Sequence, residues 1–401
     1  MTIKSFLNDA YTHQFNAKVT SIEQENQLYK IQLDHTFFYP EGGGQPCDHG
    51  NIEMLEIADV QIDQEDIFHI SKDCPKFKVG ENVTCKIDFS RRFTLMQQHT
   101  GQHILSSCAE KLYEANTIGF HIGADYVTID LDQKLTQDQI VKIENSANQV
   151  IYSNKEVIAH YPTAEELANM PLRKQPKVTE NIRVIEIVES DFSPCGGTHV
   201  KTTSEVGIIK IKKTEPYKSG IRIEFGCGGF ALKFIQERNE TINSLMKLFS
   251  VKDNEILNFT EQLLESQKND RANLQALKEQ LYKTQVAQIL EQFDSEEIKV
   301  ITLTETDMSM TDLRLKCNIL CEAENIIVLA VSSEGEKTHL VLSKSKNVSQ
   351  EFNMGQLFKS EIAPFGVKGG GNPFVAQGGS SDAVNIDEIM ATLEDKIQKM
   401  F

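Results

Sequence analysis

The chain has 401 residues, 40% of them hydrophobic and 25% charged, which is ordinary globular composition and enough length for two to four domains. Its net charge of −17 excludes a nucleic-acid partnership through bulk charge, so such a partner would need a local basic face. The eight scattered cysteines are too sparse for a disulfide scaffold.

No apolar run approaches the roughly 20 residues that span a bilayer. The opening "MTIKSFLNDAYTHQF" has acidic and polar residues where a signal peptide needs a continuous apolar segment. These features predict a cytoplasmic protein with reduced thiols.

Residues 1 to 88 read as mostly β, with short apolar alternation in "LYKIQLD" and "VTCKIDF". Inside this block "FYPEGGGQPCDHG" places Gly42, Gly43 and Gly44 in an irregular loop. That loop is either a wide hairpin connection or backbone brought close to a ligand. From Phe93 the pattern turns helical: Leu95, Ile104, Leu105, Cys108 and Leu112 predict an amphipathic helix of about five turns. A second helix fits 136 to 152 through Ile140, Ile143, Ala147 and Ile151, and strands follow near 181–188, 206–213 and 220–226. This α+β block ends near Gly229.

Residues 230 to 295 are nearly free of Gly and Pro and rich in Gln, Glu, Lys and Leu. Leu263, Leu274, Leu277 and Leu281 fit a helical seam that Gln267 and Asp270 interrupt. The readings are a helical hairpin or weak coiled coil linking domains and pairing subunits, or a solvated spacer. From Lys299 onward strands and helices alternate as in an α/β domain, with "VITLT", a helix through Leu313 to Ala323, "IIVLAV", "HLVLSK" and helices near 353–363 and 385–399. A second glycine cluster, "GVKGGGNPFVAQGG", lies there.

Two stretches carry metal chemistry. "HTGQH" puts His99 and His103 at i and i+4 of the first helix, stacked on one face about 6 Å apart. "SPCGGTHV" puts Cys195 and His199 four positions apart, with two glycines that let the backbone fold until both side chains converge. Three imidazoles and a thiolate suit zinc, and the soft sulfur disfavours magnesium or calcium. A zincin protease needs the glutamate of "HExxH"; Thr100, Gly101 and Gln102 supply no such base.

"HTGQH" followed by "CGGTHV" resembles the zinc-binding pattern of the editing domains of alanyl-tRNA synthetases and of their free-standing relatives, the AlaX proteins. "FYPEGGGQ" resembles that family's glycine-rich motif, "TTSEVGIIKIKK" its strand after the zinc motif, and "GGGNPFVAQGG" the C-terminal domain shared with DHH phosphoesterases. Ser204 stands where glycine is usual, and Phe230 where an arginine is commoner. The implied architecture is that of the long AlaX type, an α+β multidomain chain. It comprises a β-barrel with the Gly-rich motif over 1–88, a zinc-binding editing domain over 89–229, a helical linker over 230–296 and an α/β tRNA-binding domain over 297–401. Only about ninety residues, barrel-like ones, precede His99, so a synthetase's activation domain is not expected.

The resemblance implies hydrolysis of the ester joining a wrong amino acid, serine first and glycine next, to alanine tRNA, with Zn²⁺ as cofactor. Sparing alanine while removing serine requires a pocket that hydrogen-bonds the extra hydroxyl, because the correct residue is the smaller one. Candidate pocket residues are His121, Thr36, Gly42, Gly43, Gly44 and Gln45; Thr100 is expected to pack or bond back to its helix. The basic face falls on "IIKIKKTEPYKSGIRIEF", with Lys210, Lys212, Lys213, Lys218 and Arg222, joined by Arg91 and Arg92 near the metal helix. Lys368 with Gly369, Gly370 and Gly371 offers a charge and backbone N–H groups to phosphates, without the "GK[ST]" of a Walker loop. Homodimerisation through the linker or the C-terminal domain is expected. The rivals are a zinc-stabilised tRNA-binding protein without catalysis and a hydrolase for another mischarged tRNA, such as threonine tRNA carrying serine.

Overall fold

The computed structural model describes residues 2–176, 181–293, 297–335, 337–349, 352–381 and 384–399. They fall into two units, Met1–Leu248 and Phe249–Phe401. The end of the expected linker, 294–296, lies outside the described residues.

The first unit opens with β1 (Ile3–Lys4), β2 (Gln14–Glu25), β3 (Leu28–Leu33), β4 (His35–Thr36), β5 (Gly50–Ile52), β6 (Leu55–Ile57), β7 (Asp59–Asp63), β8 (Asp66–Ser71) and β9 (Asn82–Ile87). Strands β2 and β3 form a hairpin whose two turn residues, Asn26 and Gln27, both take positive φ (52° and 66°), the backbone that matches strand twist. A seven-stranded sheet runs β6-β5-β9-β2-β3-β8-β7 and curls almost closed around Val19, Ile31, Leu33, Phe38, Ile57 and Ile67, all buried. Its edge strands β6 and β7 are not hydrogen-bonded to each other, so the expected barrel is a nearly closed sheet.

Helix α1 (Phe89–Tyr113) follows at once, capped by Asp88, whose carboxylate accepts the Arg91 N–H at 3.1 Å. It is not amphipathic in the simple sense its spacing predicts. Residues 98 to 109 are buried on every side, and Leu112, expected inside, is exposed. The helix is a core element whose polar stripe forms a site.

A four-stranded antiparallel sheet packs on α1, ordered β10 (Thr117–Ile122), β11 (Val127–Leu131), β16 (Gly220–Cys227), β15 (Ile209–Tyr217). Helix α2 (Gln137–Tyr152) starts at a reciprocal Thr136–Gln139 capping box and buries Ile140, Ile143, Ala147 and Ile151, the predicted face. Strands β12 (Val157–His160), β13 (Val184–Ile187) and β14 (Asp191–Pro194) make a small antiparallel sheet, with the one-and-a-half-turn helix α3 (Ala164–Asn169) between the first two. Gly101 lets α1 approach β16: a Cβ there would lie 2.2 Å from Cys227 Sγ. Gln98 ties the same pair, donating to the Cys227 carbonyl at 3.0 Å and accepting its N–H at 2.8 Å. Helix α4 (Gly229–Phe249) closes the unit.

The second unit begins with the 35-residue helix α5 (Ile256–Leu290), of which only Tyr282 and Val286 are buried among the described residues, while Leu263, Leu274, Leu277 and Leu281 are exposed. Next, β17 (Lys299–Thr306), α6 (Met310–Leu320) and β18 (Ile326–Glu334) form a parallel βαβ unit. Antiparallel β19 (Lys337–Lys344) leads to the irregular helical turns from α7 (Met354–Leu357) to Phe365, then to β20 (Lys368–Gly371), β21 (Val375–Ser380) and α8 (Ile386–Gln398). The sheet order is β17-β18-β19-β21-β20.

Candidate metal centre

Helix α1 delivers His99 and His103, and the loop leaving β14 delivers Cys195 and His199. One ligand atom from each lies within 4.8 Å of all the others. Cys195 Sγ is 3.3 Å from both His99 Nε2 and His199 Nε2. Bond lengths of about 2.0–2.3 Å in a tetrahedral zinc site put neighbouring donors roughly 3.5 Å apart, so the spacing suits such an ion.

The outer nitrogens fix which atoms face inward. His103 Nδ1–H donates to Asp191 Oδ2 at 2.9 Å, and a carboxylate can only accept. Gln45 Oε1 accepts the Thr198 backbone N–H at 3.1 Å, which identifies it as the oxygen; His99 Nδ1, 2.7 Å away, must therefore donate to it. His199 Nδ1 lies 3.1 Å from Thr100 Oγ1, a hydroxyl that already accepts the Val200 N–H at 3.2 Å. With the Nδ1 protons of His99 and His103 turned outward, the Nε2 lone pairs of these two rings face the sulfur. Such an arrangement repels itself unless a cation sits among the donors. Partners of this kind also set ligand orientation and basicity at metal sites.

The electrostatics agree. Burial pushes the Cys195 thiol up, but positive charge beside it, on the His99 and His199 side, outweighs burial and holds the group well below its ordinary value; where the imidazoles are neutral, a bound cation would supply that charge. Burial holds His199 down to about 3, so it stays neutral and able to bind metal. Asp191 is also buried, yet His103 and then Arg173 keep its carboxyl down at about 2. Its Oδ1 accepts from Arg173 Nε at 2.6 Å, and Ser193 Oγ donates to Oδ2 at 2.8 Å.

Close approach makes the cluster possible. A Cβ on Gly197 would sit 2.2 Å from His99 Cε1, whereas one on Gly196 would meet nothing within 4 Å. The loop of the nearly closed sheet arrives through Gln45, which also donates from Nε2 to Thr198 Oγ1 at 2.8 Å. Gly44, at φ +86°, presses against Phe120, whose ring stacks on His99 with centroids 5.4 Å apart.

Comparison with known proteins bears on this chemistry. Residues 182–224 match the Threonyl and Alanyl tRNA synthetase second additional domain, residues 5–91 match tRNA synthetases class II (A), and residues 297–399 match the DHHA1 domain. The alanyl-tRNA editing protein AlaX-L of Pyrococcus horikoshii is 31% identical over 389 residues, covering 94% of this chain and 94% of that protein. The chain belongs to the AlaX-L family. Alanine–tRNA ligases of Halorubrum lacusprofundi and Methanosarcina mazei are 28% and 30% identical over 100% and 97% of the chain, which spans 44% and 43% of their length.

In this AlaX-L family chain the other anticipated residues are placed unevenly. His121 is exposed; its strand neighbour Phe120 is the one that faces the cluster. Thr36 is buried in the first sheet, where its hydroxyl is shared between His69 Nε2 at 2.9 Å and the Phe38 N–H at 3.1 Å. Thr100 neither bonds back to its helix nor stands free, because His199 and Val200 use its oxygen.

The basic stripe is largely neutralised within the chain. Lys210 pairs with Glu144 at 2.7 Å, Lys212 and Lys213 with Glu224 at 3.1 and 3.3 Å, and Arg222 with Asp130 at 2.6 Å. Lys218 Nζ lies over the Tyr217 ring at 5.2 Å. Arg92 is a correction: it is fully buried, so it cannot meet RNA. Its guanidinium pairs with Asp48 and donates to the carbonyls of Ala10 and Phe37. Arg91 donates twice to the Cys47 carbonyl at 3.1 and 3.2 Å.

Lys368 to Gly371 form an edge strand, β20, not a loop cradling an anion. Gly369 is small because a Cβ would lie 2.2 Å from the Gln377 carbonyl oxygen, and Gly371 because one would lie 2.0 Å from that of Val375. Asp191, Thr198, Phe120 and Arg183, whose Nη1 donates to the carbonyls of Cys195 and Gly197 at 3.0 and 2.8 Å, were not singled out from sequence. Of these only Asp191 had a signal, as an acid four positions before Cys195.

Proposed function

We propose that the chain is a trans-editing hydrolase that deacylates mischarged alanine tRNA, with seryl-tRNA(Ala) the main substrate and glycyl-tRNA(Ala) the second, and that it does not aminoacylate. The observation that carries this reading is the convergence of His99, His103, Cys195 and His199 beside the Gln45 loop, in a chain related over nearly its whole length to an alanyl-tRNA editing protein. Three imidazoles and a thiolate, each imidazole held from behind, fit zinc as their ion. When bound there, it supplies positive charge that orients the substrate or activates a water.

The chain's own residues do the rest. Asp191 and Gln45 hold His103 and His99 in one tautomer, Thr100 orients His199, and Phe120 with the Gly44–Gln45 loop shields His99. Selectivity requires polar groups left unpaired when alanine occupies the pocket. In this reading residues 1–88 close over the site, 89–229 carry the chemistry, 230–296 link, and 297–401 bind tRNA, with pairing of two copies through either of the last two segments. Arg91, Lys218 and Lys368 remain as RNA contacts; Lys210, Lys212, Lys213 and Arg222 would have to exchange their carboxylates for phosphate.

The presence of four donors favours a second reading, in which the ion is fully coordinated by protein and only stabilises a tRNA-binding surface. Incubating the purified protein with seryl-tRNA(Ala) and alanyl-tRNA(Ala), beside His103→Ala, separates the two. Ester loss confined to the seryl substrate and abolished in the variant is expected; no loss from either substrate overturns the hydrolase.

A further inference from the structure

The turn that carries Cys195 and His199 does not hold its shape by itself. Two adjacent glycines leave its backbone unusually free, and Gly196 is exposed, with nothing within 4 Å of the place a Cβ would take. Further along, two residues are held from outside: Gln45 accepts the Thr198 N–H, and Thr100 accepts that of Val200. Neither of these bonds bears on Cys195, the residue whose sulfur must stay among the imidazoles.

Arg183 does bear on it. Strands β13 and β14 pair as far as Val184 and Pro194, and Arg183 extends that ladder by one step, its carbonyl accepting the Cys195 N–H at 3.0 Å. Its guanidinium then closes over the turn. Nη1 donates to the carbonyls of Cys195 and Gly197, at 3.0 and 2.8 Å, and so brackets Gly196 from both sides. Inside the bracket the Gly197 N–H donates to Cys195 Sγ at 3.4 Å, which steadies the sulfur. Packing alone does not account for this placement. Arg183 Nε is buried and meets no acceptor among the described residues, a cost that a side chain serving stability only would avoid.

We infer that Arg183 is a positioning residue, which holds the Cys195 sulfur at the fourth donor position of the cluster. The inference rests on the metal-dependent reading above and narrows it to a site with the sulfur engaged. With the turn bracketed, four protein donors face one point; with the bracket gone, three imidazoles remain and one position opens.

The test uses the full chain loaded with Co²⁺, whose bond to a thiolate gives a charge-transfer absorption that bonds to imidazole do not. That band is read without substrate. The wild type should show it. Arg183→Met, similar in length and without donors, should lose most of the band and bind zinc about 10–100-fold more weakly in a chelator competition, the size typical of outer partners at metal sites. Arg183→Lys, which keeps one nitrogen for the two carbonyls, should fall between.

Asn148→Ala serves as the control for lost stability. It removes the two bonds by which α2 holds the Ile209 backbone in the same unit, at 2.9 and 3.0 Å. This variant should unfold at a lower temperature and keep the band. If Arg183→Met does not fold, Arg183→Lys decides, and its band and zinc affinity must both fall. Wild-type spectrum and affinity in the folded Arg183 variants, or a wild type without the band, overturns the assignment. Ester loss from seryl-tRNA(Ala) is scored in the same preparations. A wild type that leaves the ester intact overturns the hydrolase and not the positioning role.

Discussion

Gln45 Oε1 accepts two hydrogen bonds at once, from His99 Nδ1 at 2.7 Å and from the Thr198 backbone N–H at 3.1 Å. A single amide from the Gly-rich loop thus orients His99, one of the two ligands on α1, and steadies the loop that carries Cys195 and His199. Replacing it by Leu keeps the size and removes the one oxygen that accepts both bonds. Outer partners of metal-bound histidines typically contribute about 10–100-fold in affinity. Gln45→Leu should lose zinc by that factor in a chelator competition, and Gln45→Glu should recover most of it. Equal affinity in wild type and Gln45→Leu would show that the loop only covers the site.

Neighbouring glycines in "CGGTH" should behave oppositely. Gly197→Ala forces a methyl carbon to within 2.2 Å of His99 Cε1 and 2.9 Å of Gln45 Oε1, so the ligand loop must move away. A shift of about 1 Å at such a site costs on the order of 100-fold in rate. Gly196→Ala points into open space and should keep wild-type activity. The check is metal content together with ester loss for each variant; similar outcomes for the two would contradict the packing described.

The parts of this molecule that were legible in sequence are those set by local spacing. Two histidines a helical turn apart and a cysteine and histidine around two glycines bear their chemistry wherever they are placed, and the α2 face followed from its 3–4 spacing. What failed depends on partners distant in sequence. Arg91 and Arg92 are indistinguishable as letters, yet only the second meets Asp48 and disappears into the core. Lys210 looked like a free cation until Glu144, 66 positions away, came beside it. The α1 periodicity misled for a related reason: its polar residues are buried because β14, β16 and the Gln45 loop supply hydrogen bonds. The glycines of β20 signalled close packing, a use of glycine that spacing alone does not separate from a phosphate loop.

Arg92 should matter for folding, not for RNA. Its guanidinium meets both Asp48 oxygens and the carbonyls of Ala10 and Phe37, stapling the N-terminal segment, the Gly-rich loop and α1. Arg92→Met leaves the Asp48 carboxylate buried without its cation, a change that typically costs about 3–5 kcal/mol. Arg91→Ala removes two hydrogen bonds to one carbonyl and leaves no buried charge behind, at about 1–2 kcal/mol. Calorimetry of the full chain should show the first unfolding transition falling much further for Arg92→Met than for Arg91→Ala. Equal falls would mean that Asp48 finds another partner.

His69 gives the first sheet a pH dependence of its own. The imidazole is fully buried against Phe38; its Nδ1–H donates to the Ile31 carbonyl at 3.0 Å and its Nε2 accepts from the Thr36 hydroxyl at 2.9 Å. Burial, only partly opposed by the Ile31 bond, pushes its pKa from 6.5 down to about 4. The unfolded chain therefore binds a proton near pH 6.5 that the folded chain refuses until about pH 4. This stability is fully present above pH 6.5 and is lost as the pH falls from there toward 4, by up to about 3 kcal/mol. Glutamine can donate to Ile31 and accept from Thr36 without titrating. His69→Gln should therefore flatten the decline in urea midpoint between pH 7 and pH 5, measured against wild type at each pH so that titration of the metal ligands cancels. A wild-type curve parallel to that of His69→Gln would show that water reaches the ring and that burial does not hold it neutral.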